Sequence, residues 1–253
     1  MRTAILLAVL LTVSFAYIPF LDKVAVVDMK GEIGKDISAS DVVASLDRIE
    51  RDPTYVAVVL DINSGGGSAV EAHEIVRELD RMSKPKVARI GDMGASGAYW
   101  IASACDYIVA DELSVVGSIG AASMFYSPGD LARRLFNVQE IAYPGGKLFG
   151  SPFFNETFLP YARSLVKSAG SYFIEDILSR RPGVENYTTG LPYLARDAPG
   201  LVDEYGGMET AIGEARKLAG ARFARVERIE TSRGIRSILK EIGLYSLFNG
   251  IKM

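Results

Sequence analysis

The chain has 253 residues, of which 49% are hydrophobic and 23% charged, proportions typical of a globular protein with a sizeable core. Its net charge of −3 gives no electrostatic support for nucleic-acid binding. The single cysteine, Cys105, and the single histidine, His73, exclude an intrachain disulfide, a cysteine-based metal cluster and a multi-histidine metal site. Cys105 lies among alanines, so we expect a thiol packed in the core rather than a reactive one.

The first predicted element is an uncharged segment, residues 3–20, which reaches the length that a membrane-spanning helix requires. Arg2 precedes it, and the positive-inside tendency then predicts a cytoplasmic N-terminus and an extracytoplasmic remainder. A cleaved signal peptide is the alternative, with residues 14–16 as the cleavage motif. We expect a retained anchor over residues 1–22, because the apolar run continues beyond that motif.

Strands and helices are predicted to alternate along the rest of the chain. Apolar, β-branched runs predict strands at residues 24–29, 55–62, 87–90, 107–110 and 139–143. Helical spacing predicts helices at residues 42–49, 69–82, 98–104, 127–135, 155–180 and 208–218. This alternation predicts an α/β fold of crossover units in one domain, residues 23–225. Residues 226–253 are expected to form an amphipathic tail that packs on the domain, lies on the membrane surface or mediates assembly.

The strand at residues 87–90 leads into a turn in which Ser96 lies between Gly94 and Gly97. Glycines allow backbone angles that a Cβ would forbid. The N–H groups in the first turn of the next helix point into the same space as the serine hydroxyl. Nucleophilic serines use this strand–turn–helix arrangement, although the residues here differ from the G-x-S-x-G pattern. The alternative is that Ser96 serves only as the helix N-cap.

A second glycine turn, residues 64–67, follows the strand at residues 55–62 and precedes a predicted helix. Its backbone N–H groups are suited to an anion-binding nest or an oxyanion hole. A phosphate-binding loop is a poor interpretation, because the G-x-x-x-x-G-K-[ST] pattern is absent. A plain tight turn remains open.

A nucleophilic serine needs a base. His73 lies in a polar stretch of the predicted helix at residues 69–82, so we expect a solvated surface residue and no Ser-His-Asp triad. Lysine is the alternative base, provided that burial lowers its pKa enough to populate the neutral amine. Lys147 lies in a glycine- and aromatic-rich loop, residues 143–153, with no other charge. A surface lysine in a flexible loop would show the same pattern.

Taken together, these motifs resemble the signal peptide peptidase A (SppA) family, in order over residues 24–218. The motifs that carry the resemblance are N-S-G-G-G-S at 63–68, M-G-A-S-G-A-Y at 93–99, G-S-I-G at 117–120, Lys147 followed by G-S-P-F at 150–153, and G-L-V-D at 200–203. Gly65 is a departure, since family members usually carry proline at that position. The change loosens the turn but removes no N–H donor.

The resemblance implies a ClpP/crotonase-like α/β domain of repeated β-β-α units, preceded by a single N-terminal transmembrane helix and exposed outside the cytoplasm. It implies a Ser-Lys dyad in which Ser96 is the nucleophile and Lys147 the general base. The N–H groups of Gly67 and Gly97 are the implied oxyanion donors. A ring-shaped homo-oligomer is also implied, in which neighbouring subunits supply the serine and the lysine. The implied substrates are signal-peptide remnants and other unfolded, apolar segments, and neither a cofactor nor a metal is expected.

The sequence therefore predicts a membrane-anchored serine endopeptidase. One alternative is a crotonase-type acyl-CoA enzyme, which would use the same glycine turns but suits neither an export segment nor a Ser-Lys pair. The other is a non-catalytic membrane scaffold of the same fold. Two Asn-x-Thr sequons, at Asn155 and Asn186, are weak candidate glycosylation sites of an exported domain.

Overall fold

A computed structural model describes residues 22–122 and 158–230 of the chain. In these two ranges the strands are β1 (Lys23–Lys30), β2 (Tyr55–Ser64), β3 (Lys86–Ala95), β4 (Tyr107–Ala110), β5 (Val115–Gly117), β6 (Pro192–Leu194), β7 (Glu204–Tyr205) and β8 (Arg225–Glu230). The α-helices are α1 (Ala39–Arg51), α2 (Ala69–Arg81), α3 (Gly97–Ser103), α4 (Phe158–Arg180) and α5 (Met208–Leu218). Strands and helices alternate from β1 to β4, which confirms the predicted α/β fold.

The described strands form one sheet, in which β6, β5, β3, β2, β1 and β8 lie side by side in that order. All pairings are parallel except that of β5 with β6. The first half of β3 pairs with β4, and its second half pairs with β5. At the carboxyl end of β2, Ser64 pairs with Gly94 of β3. The turns that follow these two strands therefore meet at one edge of the sheet, the edge where open α/β sheets bind ligands.

Both faces of the sheet are covered, as expected for parallel strands with continuous apolar runs. Leu60 of β2 belongs to the larger buried cluster, which includes residues of α1, α2 and α3. Its neighbour Val59 points to the opposite face and packs in a second cluster with Ala215 of α5. The free Cys105 is buried in the larger cluster, and burial raises the pKa of its thiol to about 12, which confirms the expected core thiol.

Element boundaries agree closely with the sequence analysis for β4 and α5. Strand β3 is longer than predicted, because pairing with β5 extends it through glycine-containing residues 91–95. The sheet also continues through β8 to residue 230, beyond the expected domain boundary at residue 225.

Other expected elements fall outside the described ranges: the strand at residues 139–143, the helix at 127–135 and the apolar segment at 3–20. Within the described ranges, no helix is long and apolar enough to cross a membrane.

Candidate active site

Ser96 occupies the corner between β3 and α3. Its backbone has φ 55° and ψ −128°, a positive-φ conformation that is strained for a residue with a Cβ. Two backbone hydrogen bonds hold it: the Ser96 N–H donates to the Gly117 carbonyl at 2.8 Å, and the Trp100 N–H donates to the Ser96 carbonyl at 3.0 Å. The half-buried side chain makes no capping hydrogen bond to the helix. The N-cap alternative therefore does not account for this serine.

The glycine turn after β2 packs directly against this corner. A Cβ placed on Gly66, where φ is 102°, would lie 2.8 Å from the Ser96 Cβ and 3.0 Å from the Gly97 nitrogen. At Gly67, where φ is 146°, a Cβ would collide with the backbone of Ile33. Glycine is therefore required at both positions for the turn to approach the serine so closely.

Two backbone N–H groups beside Ser96 remain available to a ligand. The Ile33 N–H donates to the Gly66 carbonyl, and the Ser68 N–H donates to the Ile33 carbonyl, each at 2.9 Å. Because successive peptide groups of an extended segment point in opposite directions, the Gly67 N–H faces away from Ile33. Gly97 is the first residue of α3, where an N–H has no partner within the helix. Neither N–H donates to an acceptor in residues 22–122 or 158–230.

A cleft of about 250 Å³ opens beside these groups, and we call it the apolar cleft. Ser96, Gly67 and Gly97 line one part of it, and the rings of Trp100 and Phe173 line another. The remaining lining residues are glycines, alanines and one serine. Gly67 also lines a second cavity of about 510 Å³. Gly67 thus borders both cavities.

That remaining serine, Ser118, is a site residue to which the sequence analysis assigned no role. Its φ of 52° makes it, with Ser96, one of two non-glycine residues with positive φ in the described ranges. The Ser118 N–H donates to the Leu191 carbonyl at 2.9 Å, and its hydroxyl donates to the Gly190 carbonyl at 3.1 Å. In the sequence, only the nearby glycines of the G-S-I-G motif point to Ser118 as a site residue.

Comparison with known proteins identifies the family of the chain. The family model named Peptidase family S49 matches residues 78–222, more than half of the chain. The chain belongs to peptidase family S49. The matched residues of this S49 chain include the Ser96 corner but not the glycine turn, which precedes them.

Named relatives confirm the resemblance to the SppA family. The S49 chain is 31% identical to Protease 4 of Haemophilus influenzae over 220 residues, which is 79% of this chain and 35% of that protein. It is 30% identical to a protein of Methanocaldococcus jannaschii named as a protease, covering 81% of this chain and 70% of the relative. It is 27% identical to the chloroplastic serine protease SPPA of Arabidopsis thaliana, covering 88% and 37%. The chain therefore spans about a third of the length of two of these relatives.

His73 lies on α2 of the S49 chain and is half-buried, so it is less solvated than the sequence suggests. Its ring stacks on Trp100 with centroids 5.2 Å apart, and its Nε2 lies 3.0 Å from the Tyr172 hydroxyl. These contacts engage His73 with aromatic rings rather than with Ser96. Long-range packing of α2, α3 and α4 produces the arrangement, and no local sequence pattern predicts it.

Two other predicted residues, Lys147 and Asn155, lie outside the described ranges. Among the described residues that line the apolar cleft, none is a lysine or a histidine. The base that the S49 chain would need must therefore come from another part of the chain or from another subunit. Asn186, the second sequon asparagine, is exposed in a short 3₁₀ helix, Glu185–Tyr187.

Proposed function

We propose that this S49 chain is a membrane-anchored serine endopeptidase that works by a Ser-Lys dyad. Ser96 is the nucleophile, Lys147 the general base, and the N–H groups of Gly67 and Gly97 are the oxyanion donors. The observation that carries the proposal is the strained Ser96 corner, beside two N–H groups that have no acceptor among residues 22–122 and 158–230. Strain of this kind costs about 1–3 kcal/mol and is concentrated at functional sites.

The proposed chemistry follows from these groups. The Ser96 hydroxyl attacks the peptide carbonyl while the neutral Lys147 amine takes its proton. The Gly67 and Gly97 N–H groups stabilise the negative charge on the carbonyl oxygen, and one such donor is worth about 3–4 kcal/mol. The Lys147 ammonium then protonates the leaving amine, and water releases the acyl group from Ser96 by the same route.

Substrate and location form the finer part of the proposal. Signal-peptide remnants and other unfolded, apolar segments suit a narrow apolar cleft, because a folded domain cannot insert its backbone there. Residues 1–22 would hold the chain in the cell membrane by a single span, with a ClpP/crotonase-like catalytic domain outside the cytoplasm. The protease names of the relatives and the apolar lining of the cleft support cleavage of apolar peptide segments, and the uncharged segment at residues 3–20 supports the membrane span.

Peptide hydrolysis by the full chain in detergent tests the proposal. Ser96→Ala and Lys147→Ala should each lose at least about a thousandfold in kcat, because members of a catalytic unit fail together. Lys35→Ala is the matched control, since Lys35 is a 73% exposed lysine paired with Glu32, and it should keep wild-type turnover. Near-normal hydrolysis by either dyad variant would contradict the mechanism. A wild-type chain that binds coenzyme A thioesters but cleaves no peptide would favour the acyl-CoA alternative.

A further inference from the structure

Trp100 lies on α3 one helical turn after Ser96, and residues four apart share a helix face. Its indole is 4% exposed, and it lines the apolar cleft together with the ring of Phe173. These two rings are the only large side chains among the cleft's described lining residues. They therefore limit how far a substrate side chain can extend into the cleft.

Aromatic neighbours hold the indole from several directions. The His73 ring stacks on it with centroids 5.2 Å apart and an interplanar angle of 17°. The Phe173 ring stacks at 4.7 Å and 29°, and the Tyr172 ring meets it edge-on at 6.0 Å. Each such pair stabilises the packed ring beyond the burial of its surface. These contacts fix the plane of the indole ring.

A carboxylate on α4 also holds the indole through its N–H group. The Trp100 indole N–H donates to Asp176 Oδ2 at 2.6 Å. Arg180 donates to both carboxylate oxygens of Asp176, from Nε at 2.9 Å and from its second terminal nitrogen at 3.2 Å. Arg180 is itself held by Asp80 of α2 through two hydrogen bonds of 2.6 and 2.8 Å. This chain of charged hydrogen bonds ties the position of the indole to both helices that pack around it.

Asp176 stays ionised in this setting. Burial raises the pKa of its carboxyl group, but hydrogen bonds from Arg180 and Trp100 outweigh burial and hold the pKa below its usual value. A charged acceptor forms a stronger hydrogen bond to an indole N–H than a neutral one does. Asp176 therefore does more than form an ion pair with Arg180, because its carboxylate also accepts the indole N–H of Trp100.

We propose that Trp100 is the residue that selects the substrate side chain next to the scissile bond, and that Asp176 is the positioning residue that holds Trp100 in place. The inference rests on the proposed peptidase function of the same cleft. The space of about 250 Å³ must also hold the backbone around the scissile bond. Because the rings of Trp100 and Phe173 limit its depth, we expect the cleft to accept an aliphatic side chain such as that of alanine, valine or leucine better than an aromatic ring.

Matched peptides test the selection. They differ only in the residue that supplies the scissile carbonyl: alanine, valine, leucine or phenylalanine. The wild-type chain should cleave the leucine peptide at least about tenfold better than the phenylalanine peptide in kcat/KM, the scale of discrimination that pocket size produces. Trp100→Ala should lower that ratio by at least about tenfold, and Trp100→Phe by less. An unchanged ratio in a folded Trp100→Ala chain would overturn the proposal.

The positioning role of Asp176 needs a measurement that a general loss of stability would not change. Asp176→Ala removes the acceptor and should lower the leucine-to-phenylalanine ratio several-fold. Asp176→Asn keeps an oxygen that can accept the indole N–H and should restore most of the ratio. The control is Asp203→Ala, which removes the carboxylate of a bidentate pair with Arg181 of similar exposure, 27% against 22% for the two carboxylates. A ratio unchanged in Asp176→Ala, or shifted equally in Asp203→Ala, would overturn the positioning role.

Failure of the proposed function can be told apart from failure of this inference. If the wild-type chain cleaves none of the peptides, the proposed function fails. The selection is then read from binding to the Ser96→Ala chain, whose tryptophan emission, excited selectively over tyrosine, comes from Trp100 alone because the chain has one tryptophan. The leucine peptide should quench that emission with an affinity about tenfold higher than the phenylalanine peptide. Equal affinities would overturn the inference.

Discussion

At the scale of single residues, the site depends on a contact between two backbones. Gly66→Ala would place a Cβ 2.8 Å from the Ser96 Cβ, and we expect it to lower kcat/KM by at least about a hundredfold, the cost of a misplaced catalytic group. Gly183→Ala is the matched control: its φ of 94° is close to the 102° of Gly66, but a Cβ there meets nothing within 4 Å.

Both variants pay the same backbone penalty, and the clash with Ser96 should lower the melting temperature of Gly66→Ala somewhat further. Only Gly66→Ala should lose activity out of proportion to its loss of stability. Equal losses of activity in the two variants, measured on folded protein, would mean that the turn does not shape the site.

The pH dependence of hydrolysis distinguishes lysine from histidine as the base. A lysine acts only as the neutral amine, so kcat/KM should rise with pH through the pKa of that lysine in the folded enzyme. His73→Ala should show a rise at the same pH, because His73 contacts Trp100 and Tyr172 rather than Ser96. A profile measured from about pH 6 to 10 covers both groups. Loss of the rise in His73→Ala would indicate a histidine base instead.

At the scale of elements, a charged layer holds β8 to the sheet. The buried Asp61 of β2 accepts hydrogen bonds from Arg89 of β3 at 2.9 Å and from Arg228 of β8 at 3.2 Å. Burial raises the pKa of Asp61, but these bonds outweigh burial and lower it below its usual value. Because the unfolded chain then binds the proton more readily, this contribution is present above about pH 4 and is lost as the pH falls further.

Asp61→Asn should therefore destabilise the protein by about 2 kcal/mol at neutral pH, the value of charged hydrogen bonds, and should weaken the acid dependence of the melting temperature. Asp47→Asn serves as the control, because the Arg51–Asp47 pair is 79% and 42% exposed and should contribute little. Thermal unfolding at several pH values measures both variants. An Asp61→Asn chain that melts as the wild type does at every pH would refute this role.

Sequence patterns predict the elements that carry a strong local signal, such as a continuous apolar run or a helix N-cap. Strand β2 is a continuous apolar run, and α2 begins at Ser68, whose hydroxyl accepts the Glu71 N–H at 3.3 Å. Strands β5, β6 and β7 are two or three residues long and exist because a neighbour pairs with them, which no local pattern shows. The charged sequence of β8 is assigned to the expected amphipathic tail, because neither its pairing with β1 nor the bond of Arg228 to Asp61 is visible in the local pattern.

The same division applies to the candidate site. Ser96 and Gly67 carry a local signal, since glycines beside a strand end predict a tight corner. The contact of Trp100 with Asp176 joins residues 76 positions apart, and only the packing of α4 brings them together. Ser118 is an intermediate example: the sequence shows its glycine-rich motif but does not show that it lines the cleft.

At the scale of the whole molecule, we predict that the dyad forms between subunits of a ring. Head-to-tail contacts close into rings when the rotation permits, and each contact then repeats around the ring. A Lys147→Ala subunit still carries Ser96, and a Ser96→Ala subunit still carries Lys147. Equal mixtures of these two inactive chains, denatured and reassembled together, should regain about a quarter of the wild-type sites under random assembly. No recovery in mixtures shown to have co-assembled would mean that each chain builds its own dyad.

The central claim is that Ser96 is a nucleophile activated by Lys147. The most direct measurement is mass spectrometry of the full chain after treatment with a fluorophosphonate, which reacts covalently with activated serines. The account predicts a single adduct on Ser96 in the wild type, none in Ser96→Ala, and at least about a hundredfold slower labelling in Lys147→Ala. An adduct on another serine, or none on Ser96 in a chain that hydrolyses peptides, would contradict it.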